Sequence, residues 1–152
     1  MLAASLSDLD GLGILAGQEA YWEYHHKLCH NLPFGLLLSV ILGVYSGWRW
    51  KSFFLYLSLF HLHLIFDYYG SGPGWEIYYL WPFSQWNVTN AKAWEFYSWQ
   101  NISVAFAFTG WMFWIAMKHG RTPFEFLMPH LDSELVQWLR RRFRWKQTHT
   151  VN

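Results

Sequence analysis

Three long apolar segments constrain the fold of this chain more than any other feature of its sequence. Residues 33–45 and 96–117 carry no formal charge, and residues 52–69 are apolar apart from His61, His63 and Asp67. A tilted transmembrane helix needs about 17 to 25 mostly apolar residues, a length these segments approach with their flanks. We therefore predict an all-α, integral membrane protein with about three transmembrane helices.

The composition favours lipid contact over a soluble fold. Charged residues make up 14% of the chain, against roughly 25% in typical soluble domains. The chain has 12 Trp and 9 Tyr, residues that concentrate at membrane interfaces. The alternative is a compact soluble helical protein, whose buried helices show similar apolar runs. At 152 residues we expect one membrane-embedded domain over the whole chain.

The basic residues indicate an orientation. With three spans, nine of the 11 Lys and Arg residues fall on the side of the 49–51 turn and the C-terminal tail, which leaves Lys27 and Lys92 on the other side. By the positive-inside rule the C-terminus is cytoplasmic. We expect a multi-pass protein of the bacterial inner membrane. The opening MLAASLSDLDGLG lacks a basic start, so we expect no cleaved leader. We also expect that an earlier helix is missing from this chain.

The C-terminal segment 132–146 (DSELVQWLRRRFRWK) is predicted to be a basic amphipathic helix on the inner membrane surface. Acidic residues lie at its start and Arg residues at its end, as the helix dipole favours. Leu135, Trp138, Leu139 and Phe143 share one face. A nucleic-acid role is the weaker alternative, because the formal net charge is only +1 and anionic lipid explains a juxtamembrane basic helix.

Ionisable side chains at membrane depth usually mark function. His63 and Asp67 are spaced i and i+4, so one helical face carries an imidazole and a carboxylate that can bind a cation or pair with each other. His61 lies about 200° around the helix from His63 and cannot face the same point. The simpler alternative is a buried His–Asp hydrogen bond that only fixes helix packing.

Other His and Asp residues gather on the same, non-cytoplasmic side. YHHKLCHN precedes the first span and supplies His25, His26 and His30, and the turn before it supplies Asp8 and Asp10. Cys29 is the only cysteine, which excludes a multi-Cys zinc site within one chain. This donor set predicts one or two divalent ions, zinc first, with manganese or iron as alternatives.

Four ordered motifs resemble a known family. SDLD, HHKLCHN, HLIFD and LWPFS resemble the bacterial inner-membrane metal-dependent hydrolases of the YdjM type. That family shows an Asp-x-Asp turn, His-Arg-x-x-[Thr/Ser]-His, His-x-x-x-Asp and Trp-Pro-Phe-Ser. The chain departs from it at His26, where the family has Arg, at Cys29, where it has Thr or Ser, and in lacking an early helix with a further His.

The resemblance implies a metal-dependent hydrolase and assigns its residues. The implied metal ligands are Asp8, Asp10, His25, His30, His63 and Asp67. Helical spacing instead pairs His26 with His30, so the choice between His25 and His26 stays open. We expect His26 or Asp10 to act as the base. Trp81 and Ser84 are candidate substrate contacts, although aromatic residues at an interface are more often anchors.

The location of the site suggests a lipid or lipid-linked ester or phosphoester as the substrate. The runner-up is a non-catalytic membrane or assembly protein that uses metal for stability, for which a closed ligand shell is typical. A transporter is a third alternative, although three spans are few for a solute pathway unless the chain forms a homo-oligomer. Metal identity, substrate and oligomeric state lie beyond the sequence.

Overall fold

Helices dominate the part of the chain that the computed structural model describes, residues 6–122, 125 and 128–143. A 3₁₀ helix, Leu6–Ala16, is followed by α1 (Gln18–Tyr24), α2 (Leu32–Tyr45), α3 (Trp50–Gly70), α4 (Trp99–His119) and α5 (Pro129–Arg142). The described residues contain no strand, only an isolated antiparallel bridge between Ile77 and Val88. The prediction of an all-α fold is confirmed.

The three segments predicted to cross a membrane are all helical, as α2, α3 and α4. Within the described ranges, however, none of the helices is both long enough and apolar enough to span a bilayer. Many of their large apolar side chains are exposed, including Leu37 and Val44 on α2, Phe54 on α3 and Phe106 on α4.

The start of α2 is fixed by Asn31. Its side-chain oxygen accepts a hydrogen bond from the amide of Phe34, and its side-chain amide donates to the carbonyls of Lys27 and Leu28. Asn is a favoured N-cap residue because its side chain satisfies an otherwise unpaired helical amide. Pro33 in the first turn has no amide hydrogen to leave unpaired. The loop before α2 is thereby tied to the helix.

The core of the first compact unit lies between α2 and α3. Leu38, Phe60 and Leu64 are buried together. Gly35 allows this close packing, because a Cβ there would overlap the Phe60 ring. The loop after α3 returns to the helix ends, where the amide of Leu32 donates to the carbonyl of Tyr79. This packing brings the start of α2 near the end of α3.

The chain divides into two compact units, residues 1–98 and 99–152. In the second unit α5 buries Asp132, Val136 and Leu139, spaced i, i+4 and i+7 on one helical face. Of the residues predicted to share its apolar face, Leu139 is buried, whereas Trp138 and Phe143 are exposed. The helix starts earlier than predicted, at Pro129, and residues 144–146 lie outside the described residues.

Candidate metal centre

In the first unit the Nε2 atoms of His30 and His63 lie side by side, and each lies within 3.7 Å of a carboxylate oxygen of Asp8 and one of Asp67. These residues come from the 3₁₀ helix, the loop before α2 and the end of α3. His30 Nε2 lies 3.2 Å from His63 Nε2 and 3.3 Å from Asp67 Oδ2. His63 Nε2 lies 3.1 Å from Asp67 Oδ2. Asp8 Oδ1 lies 3.3 Å from His63 Nε2 and 3.7 Å from His30 Nε2. We call these four residues the His/Asp cluster.

These separations match those between ligands of one small divalent ion. Zinc binds imidazole nitrogen and carboxylate oxygen at about 2.0–2.2 Å, and tetrahedral geometry then places neighbouring ligand atoms roughly 3.3–3.5 Å apart. The five separations range from 3.1 to 3.7 Å around that value. The donor set of two imidazoles and two carboxylates suits zinc, manganese or iron.

Asp67 carries a further sign of a cation site. Its Oδ2 is buried and accepts no hydrogen bond from the described residues, although two imidazole nitrogens lie within ion-pair distance. Buried carboxylate oxygens normally have a donor or a metal partner. Its other oxygen accepts a long, 3.4 Å hydrogen bond from the Ser71 hydroxyl. A cation at the cluster would satisfy Oδ2, so the residues fit the divalent ion that the resemblance implies.

Asp10 lies behind the cluster and holds His30 in place. Its Oδ2 accepts from His30 Nδ1 and from the amide of Cys29, both at 3.0 Å, and its Oδ1 lies 2.9 Å from His25 Nδ1. Since Nδ1 of His30 faces Asp10, Nε2 of the same ring points at the cluster. Carboxylates commonly orient metal-binding imidazoles in this way. Asp10, His25 and His30 nevertheless form a second group with ligand atoms within 4.8 Å.

The local structure explains why Asp8 and Asp10 take different positions. They were predicted to lie in a turn, but they belong to a 3₁₀ helix, in which residues two apart point about 120° away from each other. Asp8 therefore reaches His63 while Asp10 reaches the far side of His30. The cluster is open on the Asp8 side: the Asp8 side chain is 55% exposed, whereas those of His30 and Asp67 are 0% and 16% exposed.

His26 adjoins the cluster through a strained turn. The segment between α1 and α2 is not helical, so the helical argument that paired His26 with His30 does not apply. His26 has φ +66°, an uncommon conformation for a residue with a Cβ. Its ring is 3% exposed, lies 4.5 Å from the ring of His30, and leaves Nδ1 without a partner among the described residues. His26, His30 and Asp67 form a third group of convergent ligand atoms.

The electrostatics around Asp10 and His30 reinforce each other. Burial by itself raises the pKa of Asp10, but hydrogen bonds from His25 and His30 outweigh it and hold that pKa well below its usual range. Burial by itself lowers the pKa of His30, but the carboxylates of Asp10, Asp67 and Asp8 raise it to about 11. The metal-free site therefore holds a protonated His30 at neutral pH.

Burial acts differently on two neighbouring groups. It lowers the pKa of His26 to about 3, with a further contribution from the charge of His30. It also raises the pKa of the Cys29 thiol to about 11, and the charge of Asp10 adds to this. His26 is therefore neutral at physiological pH, and Cys29 is a thiol, not a thiolate that could compete for metal.

Three residues singled out in the sequence lie away from the cluster. His61 contacts the Leu57 carbonyl and the Tyr79 hydroxyl, as its angle on the helix predicts. Ser84 accepts from the amide of Trp86 within its own loop. Among the described residues, no hydrogen bond, ion pair or ring contact joins Trp81 or Ser84 to the cluster. Their role as substrate contacts remains a prediction.

Sequence reasoning missed two neighbours of the site. Trp75 packs its ring 4.7 Å from that of His26 and 5.7 Å from that of His25. The amide of Cys29 donates to Asp10. Trp75 lies in the Gly/Pro-rich loop after α3, where no periodic pattern reports which way a side chain points. A backbone amide carries no sequence signal at all.

Comparison with known proteins gives one match. The family model described as YdjM inner membrane protein matches residues 1–144. No curated protein and no solved structure matches the chain.

Proposed function

The chain belongs to the YdjM inner membrane protein family, and from this membership and the His/Asp cluster we propose that it is a membrane-bound, metal-dependent hydrolase of an ester or phosphoester. The observation that carries the proposal is the convergence of four ligand atoms at the spacing of a divalent-ion site. Zinc is the first candidate, with manganese and iron as alternatives.

The exposure of the ligands favours catalysis over a purely structural ion. His30, His63 and Asp67 are largely buried, whereas Asp8 is more than half exposed. If the exposed Asp8 exchanges with water, His30, His63 and Asp67 leave a fourth position open, and two His with one carboxylate and an open position is a common arrangement in hydrolytic zinc sites. An ion held there supplies a Lewis acid that polarises the substrate and activates water.

The chain's own residues position the ligands and the attacking water. Asp10 fixes the ring of His30, and through the Cys29 amide it also fixes the loop. We assign Asp10 a positioning role, because its oxygens already accept contacts from three donors. His26 has an unpartnered Nδ1 beside the cluster and is neutral at physiological pH. Its lowered pKa makes it a weak base, so we propose that this nitrogen accepts a hydrogen bond from the attacking water and orients it.

The membrane part of the proposal rests on the family and on the exposed apolar side chains. α3 and α4 each have 21 residues, about 31 Å of helix, close to the roughly 30 Å hydrocarbon core. We propose that α2, α3 and α4 enter the inner membrane, with the His/Asp cluster on the non-cytoplasmic face, the C-terminus in the cytoplasm, and a lipid or lipid-linked substrate. Fluorescent protein and alkaline phosphatase fusions to the C-terminus test this orientation.

Metal analysis tests the site. Detergent-purified wild type, His30→Ala and Asp67→Asn are compared by elemental analysis after supplementation with zinc, manganese or iron. His61→Ala is the matched control, because it removes an imidazole that lies on α3, as Asp67 does, but outside the cluster. We expect about one ion per chain in wild type and control, and a loss in both cluster variants. A wild type without metal would overturn the proposal.

Activity separates the enzyme from a metal-stabilised structural protein. The assay uses bis(p-nitrophenyl) phosphate, p-nitrophenyl esters and phospholipid micelles. We expect metal-dependent turnover in wild type, and a loss of roughly 10²- to 10⁴-fold in kcat for His26→Gln with metal content unchanged. Full metal loading that raises the Tm, without turnover of any of these substrates, would instead support the non-catalytic alternative.

A further inference from the structure

An open cavity of about 530 Å³ lies among α1, the segment before α2 and the loop after α3. His25, whose Nδ1 contacts Asp10, lines it on one side. Trp75, whose ring packs against that of His26, lines it on another. The His25 ring also lies with its centroid 5.4 Å from that of His30, so a molecule in this cavity is one residue away from the cluster.

The cavity has an aromatic wall. Trp22 from α1 and Trp75 from the loop after α3 stack with ring centroids 5.0 Å apart. Tyr78 adds a third ring, and the ammonium of Lys27 already lies 5.0 Å from its centroid. Because Trp22 and Trp75 stack on each other and Lys27 covers Tyr78, the exposed Trp22 is the ring that can offer a free face to a cation, and aromatic faces attract quaternary ammonium groups.

The charged groups of the cavity have both signs. Glu23 and Glu76 supply two carboxylates, and Lys27 supplies one ammonium. Glu76 accepts a hydrogen bond from the Tyr78 hydroxyl, which keeps a carboxylate at the edge of an aromatic ring. Carboxylates beside aromatic rings favour a cationic group, while Lys27 can pair with a phosphate.

We infer that this cavity binds the amino-alcohol part of a zwitterionic phosphoester, such as a phosphocholine or phosphoethanolamine group, with the phosphate directed toward the cluster. The inference rests on the proposed function and narrows its substrate class. A purely anionic phosphoester would be repelled by the two carboxylates, and a neutral apolar group would gain nothing from either the carboxylates or Lys27.

Ligand binding is measured by tryptophan fluorescence of the metal-loaded, detergent-solubilised chain. Choline and phosphocholine are titrated against 3,3-dimethyl-1-butanol, a neutral molecule of the same shape as choline. We expect saturable changes with the two quaternary ammonium compounds and at least about fivefold weaker binding of the neutral molecule, the difference a cation–π site makes. Glucose and inorganic phosphate are titrated in the same way. The inference would be overturned if the neutral molecule binds as well as choline, if glucose or phosphate binds more tightly than choline, or if no compound shows saturable binding.

Variants locate the site. Glu23→Gln combined with Glu76→Gln should weaken choline binding at least about fivefold, whereas Glu19→Gln, an exposed carboxylate on α1 outside the cavity, should leave it unchanged. Equal affinity in the double variant and in Glu19→Gln would place the ligand elsewhere and refute the inference. Circular dichroism and metal content confirm that the variants are folded and loaded.

The same experiments separate this inference from the proposed function. Choline binding without bound metal or turnover would refute the proposed hydrolase and support the inferred specificity of the cavity. Metal-dependent turnover without ammonium binding would do the reverse. Competition between diheptanoylphosphatidylcholine and glycerophosphocholine distinguishes a lipid source from a soluble one, because only a lipid source makes the acylated compound the stronger competitor.

Discussion

Replacing Asp10 by Asn tests whether this carboxylate positions His30. The substitution preserves shape but leaves one acceptor oxygen where the native carboxylate accepts three contacts at 2.9 to 3.0 Å. Hydrogen bonds to charged groups contribute about 1.5–3 kcal/mol each, and at least one is lost. We therefore expect the free energy of unfolding to fall by about 2–3 kcal/mol, and the zinc affinity to fall about 10- to 100-fold, as for other partners of metal-binding imidazoles.

The assay combines chelator competition for zinc with denaturant unfolding in detergent. Asp132→Asn is the matched control, because Asp132 is also a buried carboxylate that accepts hydrogen bonds, but in the second unit. It should lower stability and leave the zinc affinity unchanged. If Asp10→Asn binds zinc within twofold of wild type, Asp10 does not orient His30 and the reasoning is refuted.

The pH dependence of Asp10→Asn has a definite sign. Since folding lowers the pKa of Asp10, the native carboxylate stabilises the fold above the ordinary Asp pKa of about 3.9, and this contribution is lost as the pH falls through the folded value. The difference between wild type and Asp10→Asn in the free energy of unfolding should be complete at neutral pH and shrink below about pH 4.

Two further predictions concern the metal and the helix packing. Because the pKa of His30 is raised to about 11 in the protein without an ion, an ion must displace its proton, so zinc affinity should rise at least about tenfold per pH unit between about pH 6 and 9. Calorimetry in two buffers of different ionisation enthalpy counts the released protons, and heats independent of the buffer would contradict this. Gly35→Ala should lower the free energy of unfolding by about 1–3 kcal/mol, because the added Cβ overlaps the Phe60 ring. In the control Gly43→Ala the added Cβ meets its nearest neighbour at 3.6 Å, so the free energy of unfolding in the same melts should stay unchanged or rise slightly.

Much of the helical framework and one pair of candidate ligands could be predicted from the sequence. The apolar segments predicted α2, α3 and α4 to within a few residues, because helix formation depends on contacts between near neighbours. The i, i+4 spacing alone placed His63 beside Asp67 and turned His61 away. The gathering of His and Asp residues from separate segments followed from the order of the helices.

Sequence patterns did not report the directions of side chains outside regular helices. The split between Asp8 and Asp10 depends on a 3₁₀ helix where a turn was expected. The buried position of His26 depends on a left-handed backbone conformation, and the place of Trp75 depends on how the loop after α3 folds back. Each of these is set by packing against segments distant in the chain.

The sequence by itself determined which residues can hold a cation, because ligand chemistry belongs to the side chain and helical spacing is local. Only the tertiary structure decided their division of labour, with His30 turning one nitrogen to Asp10 and the other to His63. That division requires atoms from the 3₁₀ helix, a loop and α3 to meet within about 3 Å, the hydrogen-bonding distance of nitrogen and oxygen. The packing of α2 on α3 around Gly35 and Phe60 brings them there.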